Sequence, residues 1–363
     1  MTEVQREAGS KSQNRAANPS PDPAEPIRIV DLARELGLSI ATVSRVLNNS
    51  RAVRPDVAER VRAHAAERGY VANRLARSLR SRKQGFVGFL VPAIENLAYS
   101  IAADACAQYI SRSGHQMILA ISGDDPELEF QALRSLAEAQ IGAIVVAPSP
   151  AMSAESQRLL ANMSVLEFNR TAGLSDNVVL CDDRAAFVEA TSHLLKLGHE
   201  TIGYIGTTES VSNGRERLEG VRDELQRRGK QLSDRHTRLL PPTEGDGYQA
   251  ARELLALPDR PTAVLVGSSN LSLGVARAVR HSGVSVPRDM SLIVYGDSQW
   301  GELFSPTLTT VTVPYREMGL TVASSVAGIL SDDDGAAPKV TRMPAKLLVR
   351  ESTAPPPATS RRP

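Results

Sequence analysis

The chain has 363 residues, with 42 Lys and Arg against 41 Asp and Glu for a formal net charge of +1, and is long enough for two or three domains. No apolar run approaches the roughly 18 residues of a membrane span, and the N-terminus lacks the apolar core of a secretory signal, so a cytoplasmic protein with no membrane partner is expected. Cys106 and Cys181 are the only cysteines, too few for a disulfide framework or a cysteine metal site, and neither a metal nor a cofactor is expected.

Residues 1–27 are rich in Ser, Asn, Pro and mixed charge, which predicts a disordered tail. The next stretch, IVDLARELGLSIATVSRVLN from Ile29 to Asn48, predicts two short helices around a tight turn. Val30, Leu32, Ala33 and Leu36 give the first an apolar face at helical spacing. Gly37 follows at a position that needs φ > 0, Leu38 turns inward, and Ser39 can cap the second helix. Val43, Val46 and Leu47 share one face of that helix. Ile40, Ala41, Ser44, Arg45 and Asn48 are left pointing outward, which is the pattern of a helix-turn-helix. An ordinary helical hairpin with a solvated Arg45 fits the same residues, and the flanks weigh against it. Pro55 stands where a third helix should start, Val57, Val61 and Ala65 recur every four residues, and Gly69 follows. Residues 28–83 hold thirteen Lys and Arg against five Asp and Glu, a net of +8, whereas residue 84 onward is about −6. A basic head on an acidic body is the charge footprint of a nucleic-acid module beside a separate domain.

The same stretch, followed by GYVANRLARSL, resembles the lactose-repressor (LacI/GalR) family of bacterial transcription regulators. TVSRVLN and the spacing of Tyr70, Asn73 and Ala76 carry the resemblance, which runs from about Arg28 to Glu351. It implies DNA contacts from Arg28, Ser39, Thr42, Tyr70, Asn73, Arg74 and Ala76 beside the outward residues of the second helix. Taken alone, residues 73–83 read as a charged linker. The resemblance implies a hinge helix that folds on DNA, with Leu79 as an apolar wedge in the minor groove. The family usually has proline where this chain has Ala72, so ordering this hinge should cost more entropy.

From Phe86 onward short apolar runs (FVGFLVP, MILAIS, GAIVVAP, VLEFN, NVVLC, TIGYIG, AVLVG, SLIVYG) alternate with helical stretches such as 102–113, 128–139 and 184–197. This predicts an α/β fold of parallel sheets covered on both faces. Two sets of strands imply two doubly wound subdomains on the periplasmic-binding-protein plan, behind an all-α head. Ligands of such sheets sit outside the carboxyl ends of the strands. The polar residues there are the effector candidates: Asn96 to Tyr99 (including Ala98), Asn169 and Arg170, Asp182 and Asp183, Ser268 and Ser269, and Asp297 to Trp300. For any one carboxylate a helix cap or turn role is an equal alternative. Arg217 lies just inside a helix after TIGYIG, and its RLEG setting matches the family arginine that grips effector hydroxyls or carboxylates. Ser268-Ser269 replaces the usual Asn-Asp, and Gly296 precedes Asp297 where relatives place Asp directly after the tyrosine. The resemblance therefore does not carry over which sugar is bound, and an acidic or phosphorylated ligand stands beside a neutral one.

KVTRMPAKLLVRES reads as a returning strand, followed by a polar Pro-rich tail. Chain crossings between subdomains are expected near Cys181, Val313 and Met343, the arrangement of a hinge-bending clamp. The expected domains are a tail 1–27, a DNA-binding head 28–71, a hinge 72–84, an effector-binding and dimerisation domain 85–351, and a disordered tail 352–363. Within the effector domain, subdomain N takes about 85–181 and 314–343, and subdomain C about 182–313 and 344–351. Together these features point to an effector-controlled repressor, a homodimer on palindromic double-stranded operator DNA, with an activator of the same fold as alternative. A hydrolase is weighed on Gly296-Asp297-Ser298, but no histidine follows Ser298 and no nucleotide or zinc motif is present. A solute-binding protein is weighed on the two-subdomain plan, and the helix-turn-helix speaks against it. No leucine-heptad tail that would favour a tetramer is visible.

Overall fold

A computed structural model describes residues 27–47, 52–70, 85–296, 300–331 and 339–357. The chain divides into two compact units, residues 1–80 and 81–363, each described by itself.

In the first unit α1 (Ile29–Leu36), α2 (Ile40–Leu47) and α3 (Pro55–Glu67) enclose a small core of Leu32, Ala33, Val43, Val46, Ala58, Val61 and Ala65. Gly37 closes α1 at φ 64°, a left-handed conformation that glycine adopts without steric cost. The Ser39 hydroxyl caps α2 by accepting the Thr42 N–H at 3.1 Å. Val30 departs from the sequence expectation. It is 43 % exposed, and Ile29 packs on the core instead. On a 100° period Ile29, Leu32, Ala33 and Leu36 form one stripe and Val30 falls beside it. Glu35 ties α1 to the end of α3, meeting His64 Nε2 at 2.6 Å and accepting two hydrogen bonds from Arg68 at 3.1 and 3.2 Å.

The second unit runs β1 (Phe86–Val91), α4 (Leu97–Arg112), β2 (Gln116–Ile121), α5 (Pro126–Glu138), β3 (Ala143–Val146), α6 (Ala154–Leu160), β4 (Val165–Phe168) and β5 (Val178–Cys181). Then follow α7 (Asp183–Lys196), β6 (Ile202–Gly206), α8 (Ser212–Arg227), β7 (Thr237–Leu239), α9 (Glu244–Leu255), β8 (Ala263–Gly267), α10 (Ser269–Ser282), β9 (Ser291–Tyr295), α11 (Trp300–Leu303) and β10 (Thr309–Thr312). The last elements are α12 (Tyr315–Leu330), β11 (Val340–Met343) and β12 (Lys346–Leu348).

Two six-stranded sheets result, ordered β11-β5-β4-β3-β1-β2 and β12-β10-β9-β8-β6-β7. Every pairing is parallel except β10 with β12. The strands β7 and β10, TRL and TTVT, are too short and polar to stand out in the sequence. Residues 339–352 do not form the one returning strand that the sequence predicts. Pro344 and Ala345 break it into two, β11 in the first sheet and β12 in the second, because proline supplies no ladder N–H.

The chain passes between subdomains after β5, after β10 and between β11 and β12. Buried strands carry the sheets: β1, β3, β6, β8 and β9 are apolar on both faces because helices cover both. Gly319 lets α12 lie directly on α4, since a Cβ there would come within 2.6 Å of the Ala102 carbonyl oxygen.

The residues just after β12 correct another expectation. The sequence predicts that residues 352–357 begin a disordered tail, yet Ser352 is fully buried. Leu292 N–H donates to the Ser352 carbonyl at 2.9 Å, and Ser352 Oγ accepts from Thr309 N–H at 2.7 Å. Ala354 N–H donates to Ser291 Oγ at 3.0 Å, and His199 Nε2 lies 2.9 Å from the Ala354 carbonyl. Backbone groups and short hydroxyls anchor this segment, and hydropathy does not register them.

Candidate effector cleft and DNA-reading surface

In both sheets the first strand has its successor on one side and the next strand on the other, so β1 and β3, and β6 and β8, flank the two reversal points. Crevices open at the carboxyl ends of strands at such points, and here the crevices of the two subdomains meet in one cleft. Asn96, Ala98 and Tyr99 line it from the start of α4, and Asn169 and Arg170 from the end of β4. Thr207, Asn213 and Arg217 line it from the β6–α8 connection and α8, Ser268 and Ser269 from the start of α10, and Tyr295 from the end of β9. Pro242 and Tyr315 complete it.

Arg217 is buried. Its Nη1 donates to the Gly267 carbonyl at 2.9 Å, and Nη2 donates to Asp183 at 3.0 Å and to Tyr295 Oη at 2.8 Å. Tyr295 Oη in turn donates to Asp183 at 2.7 Å, and the guanidinium stacks over the Tyr295 ring at 4.0 Å. Burial alone would lower the Arg217 pKa, but Asp183 and Tyr295 outweigh it and hold the group well above its ordinary value. The same burial pushes the Tyr295 and Tyr315 phenols up, so both stay neutral donors.

Across the cleft, Arg170 Nη1 meets Asp124 at 2.6 Å. Burial opposes its charge, and Tyr99 and Asp124 restore it. Asn169 sits at φ 61°, a conformation asparagine tolerates better than most residues, and its amide donates to Tyr99 Oη at 3.2 Å.

Of the expected effector residues, Ala98, Tyr99, Asn169, Arg217, Ser268 and Ser269 all line the one cleft. Trp300 is not among the lining residues. Its ring packs edge-on against Phe304 in the second core of subdomain C, centroids 6.5 Å apart. Asp297 and Ser298 lie outside the described residues. Asp182 caps α7 by accepting the Ala185 N–H at 3.3 Å, the alternative role considered for it, while Asp183 is the buried partner of Arg217. Gly296 has φ 85°, and a Cβ there would collide with the Ser269 hydroxyl, so the glycine and Ser269 occupy adjoining space.

Sequence reasoning passed over Thr207, Asn213, Pro242, Tyr295 and Tyr315. Tyr295 carried a signal, since a tyrosine in a fully buried strand needs a partner for its hydroxyl. Asn213 follows a strand's carboxyl end and so had a positional one. Among the described residues no group of three or more His, Cys, Asp or Glu is placed to hold a metal ion. No helix there is long and apolar enough to cross a membrane.

In the first unit Ile40, 47 % exposed, lies with Ala41 and Arg45 on the outer face of α2. Ser44 is half-buried beside them. The Thr42 hydroxyl is 2.8 Å from Ser39 Oγ, inside the cap. Arg28 stands at the start of α1, 3.5 Å from Asp31. Tyr70 packs on the core of the head, its N–H donating to the Ala65 carbonyl at 2.8 Å. Asn48, Asn73, Arg74, Ala76 and Leu79 lie outside the described residues.

Comparison with known proteins adds independent findings. Residues 28–73 match the bacterial regulatory proteins of the lacI family, and residues 191–353 match the periplasmic binding protein-like domain. The chain is 31 % identical over 326 residues to the HTH-type transcriptional regulator GalR of Escherichia coli, covering 89 % of this chain and 94 % of GalR. It is 26 % identical over 330 residues to catabolite control protein A of Priestia megaterium, covering 90 % and 99 %. Its fold matches a lac repressor dimer bound to operator and the anti-inducer ONPF with a TM-score of 0.81 at 24 % identity, over 91 % of this chain and all of that one.

Proposed function

The chain belongs to the lacI family of bacterial regulatory proteins and is a DNA-binding transcriptional regulator, and from this premise we propose that it is a repressor whose operator affinity is set by a small sugar-like molecule bound between the two α/β subdomains. The observation that carries the effector half is the cleft itself. Residues expected from strand ends far apart in sequence, from Ala98 to Ser269, line one space whose two walls are joined by three chain crossings. The structure leaves about 20 Å3 there, room for little more than one water. A hexose-sized ligand therefore requires the walls to part, which makes binding and subdomain movement one event.

The head is taken as residues 28–71, the hinge as 72–84 and the effector-binding and dimerisation domain as starting at residue 85, now extended through residue 357. The exposed face of α2 reads the major groove, with Arg45 donating both guanidinium arms to a guanine. The protein acts in the cytoplasm as a homodimer on a palindromic operator, matching two-fold protein to two-fold DNA. The test is selection of bound sequences from random duplex DNA, followed by titration of the selected operator with candidate small molecules. A two-fold symmetric site whose occupancy changes with one of them supports the reading. Sites without symmetry, or occupancy indifferent to every compound that binds the protein, overturn it.

A further inference from the structure

We propose that the effector is a phosphomonoester, a small hydroxylated molecule whose phosphate is held between Arg170 and Arg217 at the starts of α8 and α10. The proposal rests on the effector reading above and names the ligand class of that cleft. Among the described residues lining the cleft two are arginine and none is Asp or Glu. The two cations come from opposite subdomains, one at the end of β4 and one inside α8, and each already has one carboxylate partner, Asp124 and Asp183. The Nε donors of both guanidinium groups remain open to a phosphate between them, and guanidinium–phosphate pairs are among the stronger charge-assisted contacts.

The helix ends add a second pattern. Asn96, Asp125, Ser153, Asp182 and Thr243 cap α4, α5, α6, α7 and α9 with side-chain hydrogen bonds. The helices α8, α10 and α12 have no such cap, and each begins at residues that line the cleft, namely Asn213, Ser268 with Ser269, and Tyr315. An uncapped first turn presents free N–H groups and the positive end of the helix dipole, an arrangement suited to phosphate.

The third observation points to a ligand directly. Arg170 and Arg217 are each 5 % exposed and Thr207 is 6 % exposed. The Nε atoms of both arginines and the Thr207 hydroxyl are buried without a hydrogen-bond partner. Buried donors are nearly always satisfied, so three orphans in the lining of one cleft are exceptional. All three are groups that can donate, and phosphate offers three acceptor oxygens. A carboxylate offers two, and a single neutral hydroxyl offers one acceptor oxygen for the three donors.

Calorimetric titration of the full chain with inorganic phosphate, with a panel of hexose monophosphates and with the parent hexoses tests this. Inorganic phosphate should bind weakly and compete with the esters. At least one ester should bind about 100-fold more tightly than its parent hexose, in keeping with the strength of charge-assisted pairs. Arg170→Gln should weaken that ester about tenfold or more and a neutral hexose little. Thr207→Val, a milder change that keeps the fold if Arg170→Gln does not, should weaken the ester several-fold. Failure of phosphate to bind or compete, equal affinity for ester and hexose, or tighter binding of gluconate than of every ester would each overturn the phosphate assignment. The effector reading fails separately, if a compound binds the cleft whatever its charge and leaves operator affinity unchanged.

Discussion

Removing the Arg217 guanidinium tests whether that residue is chiefly a ligand contact or a structural one. Arg217→Ala leaves the Asp183 side chain, 1 % exposed, facing only the Tyr295 hydroxyl. Breaking a buried ion pair from one side costs about 3–5 kcal/mol, because the remaining charge is uncompensated. A domain of this size loses roughly 2–4 °C of melting temperature per kcal/mol, so the expected fall is about 6–20 °C. The double variant Asp183→Asn with Arg217→Met removes both charges while filling much of the volume, and should recover a substantial part of the loss. The assay is thermal melting of the full chain with its two single variants and the double variant, read as a double-mutant cycle. Melting of Arg217→Ala within about 1 °C of the parent, or a double variant as unstable as the two singles added, would refute the reasoning. This stability loss qualifies the use of Arg217→Ala as an effector probe, since a silent response must be separated from unfolding. Arg217→Lys keeps the charge and the fold better but loses the fork that reaches Gly267 and Asp183 together.

Arg45→Ala should cost operator binding roughly 1–3 kcal/mol and relax one base position per half-site; a uniform loss across all sequences would reduce Arg45 to a phosphate contact. Leu79→Ala, outside the described residues, should weaken operator binding and DNA bending while leaving the effector domain's melting unchanged, and wild-type bending would end the wedge expectation. Gly319→Ala should destabilise by about 1–3 kcal/mol through overpacking of α12 on α4, measured by urea unfolding; no change would show that the helices separate freely there. Burial, then the nearby His193 charge, depresses the His199 pKa, with only the Ala354 carbonyl opposing. A depressed histidine binds fewer protons folded than unfolded, so its contribution is full above the unfolded value of about 6.5 and is lost as pH falls below it. Stability should therefore drop between about pH 7 and 5, and His199→Gln should flatten that slope; an unchanged slope would exclude His199 as the cause.

Much of this arrangement is legible in the sequence because it is carried by periodicity. The eight apolar runs all became strands, since parallel sheets buried on both faces need continuous apolar segments. The head was readable for a similar reason: Gly37, Ser39 and Pro55 each have one local job, and each does it. What stayed hidden lacks periodicity. The strand β7 has three residues, and three of the four residues of β10 are threonine. The anchoring of Ser352 and Ala354 is a matter of single hydrogen-bond partners 43 to 155 residues away. In the cleft, strand-end position selected the right neighbourhoods, but not the direction in which each side chain points. Asp182 and Asp183 are adjacent and look alike in sequence, yet one turns outward to cap a helix and the other turns inward to Arg217. Trp300 was chosen for what tryptophan can do on a sugar face, while its packing on Phe304 satisfies the same apolar surface.

The size of the contacts across the cleft bounds what an effector must supply. Thr171 N–H, on the β4 side, donates to Ser212 Oγ at the start of α8 at 2.9 Å. Arg342 on β11 grips Glu216 on α8 with two bonds of 3.0 and 2.9 Å. A neutral hydrogen bond contributes about 0.5–1.5 kcal/mol net, and a partly exposed ion pair about 0–1 kcal/mol. Together these polar links amount to roughly 0.5–2.5 kcal/mol. A 100-fold change in operator affinity needs a coupling of about 2.7 kcal/mol. The links do not exceed that coupling, so a ligand that replaces them with stronger contacts of its own has enough leverage to switch the protein. The three crossings permit the exchange without disturbing either sheet, because the strands on both sides of each crossing keep their partners.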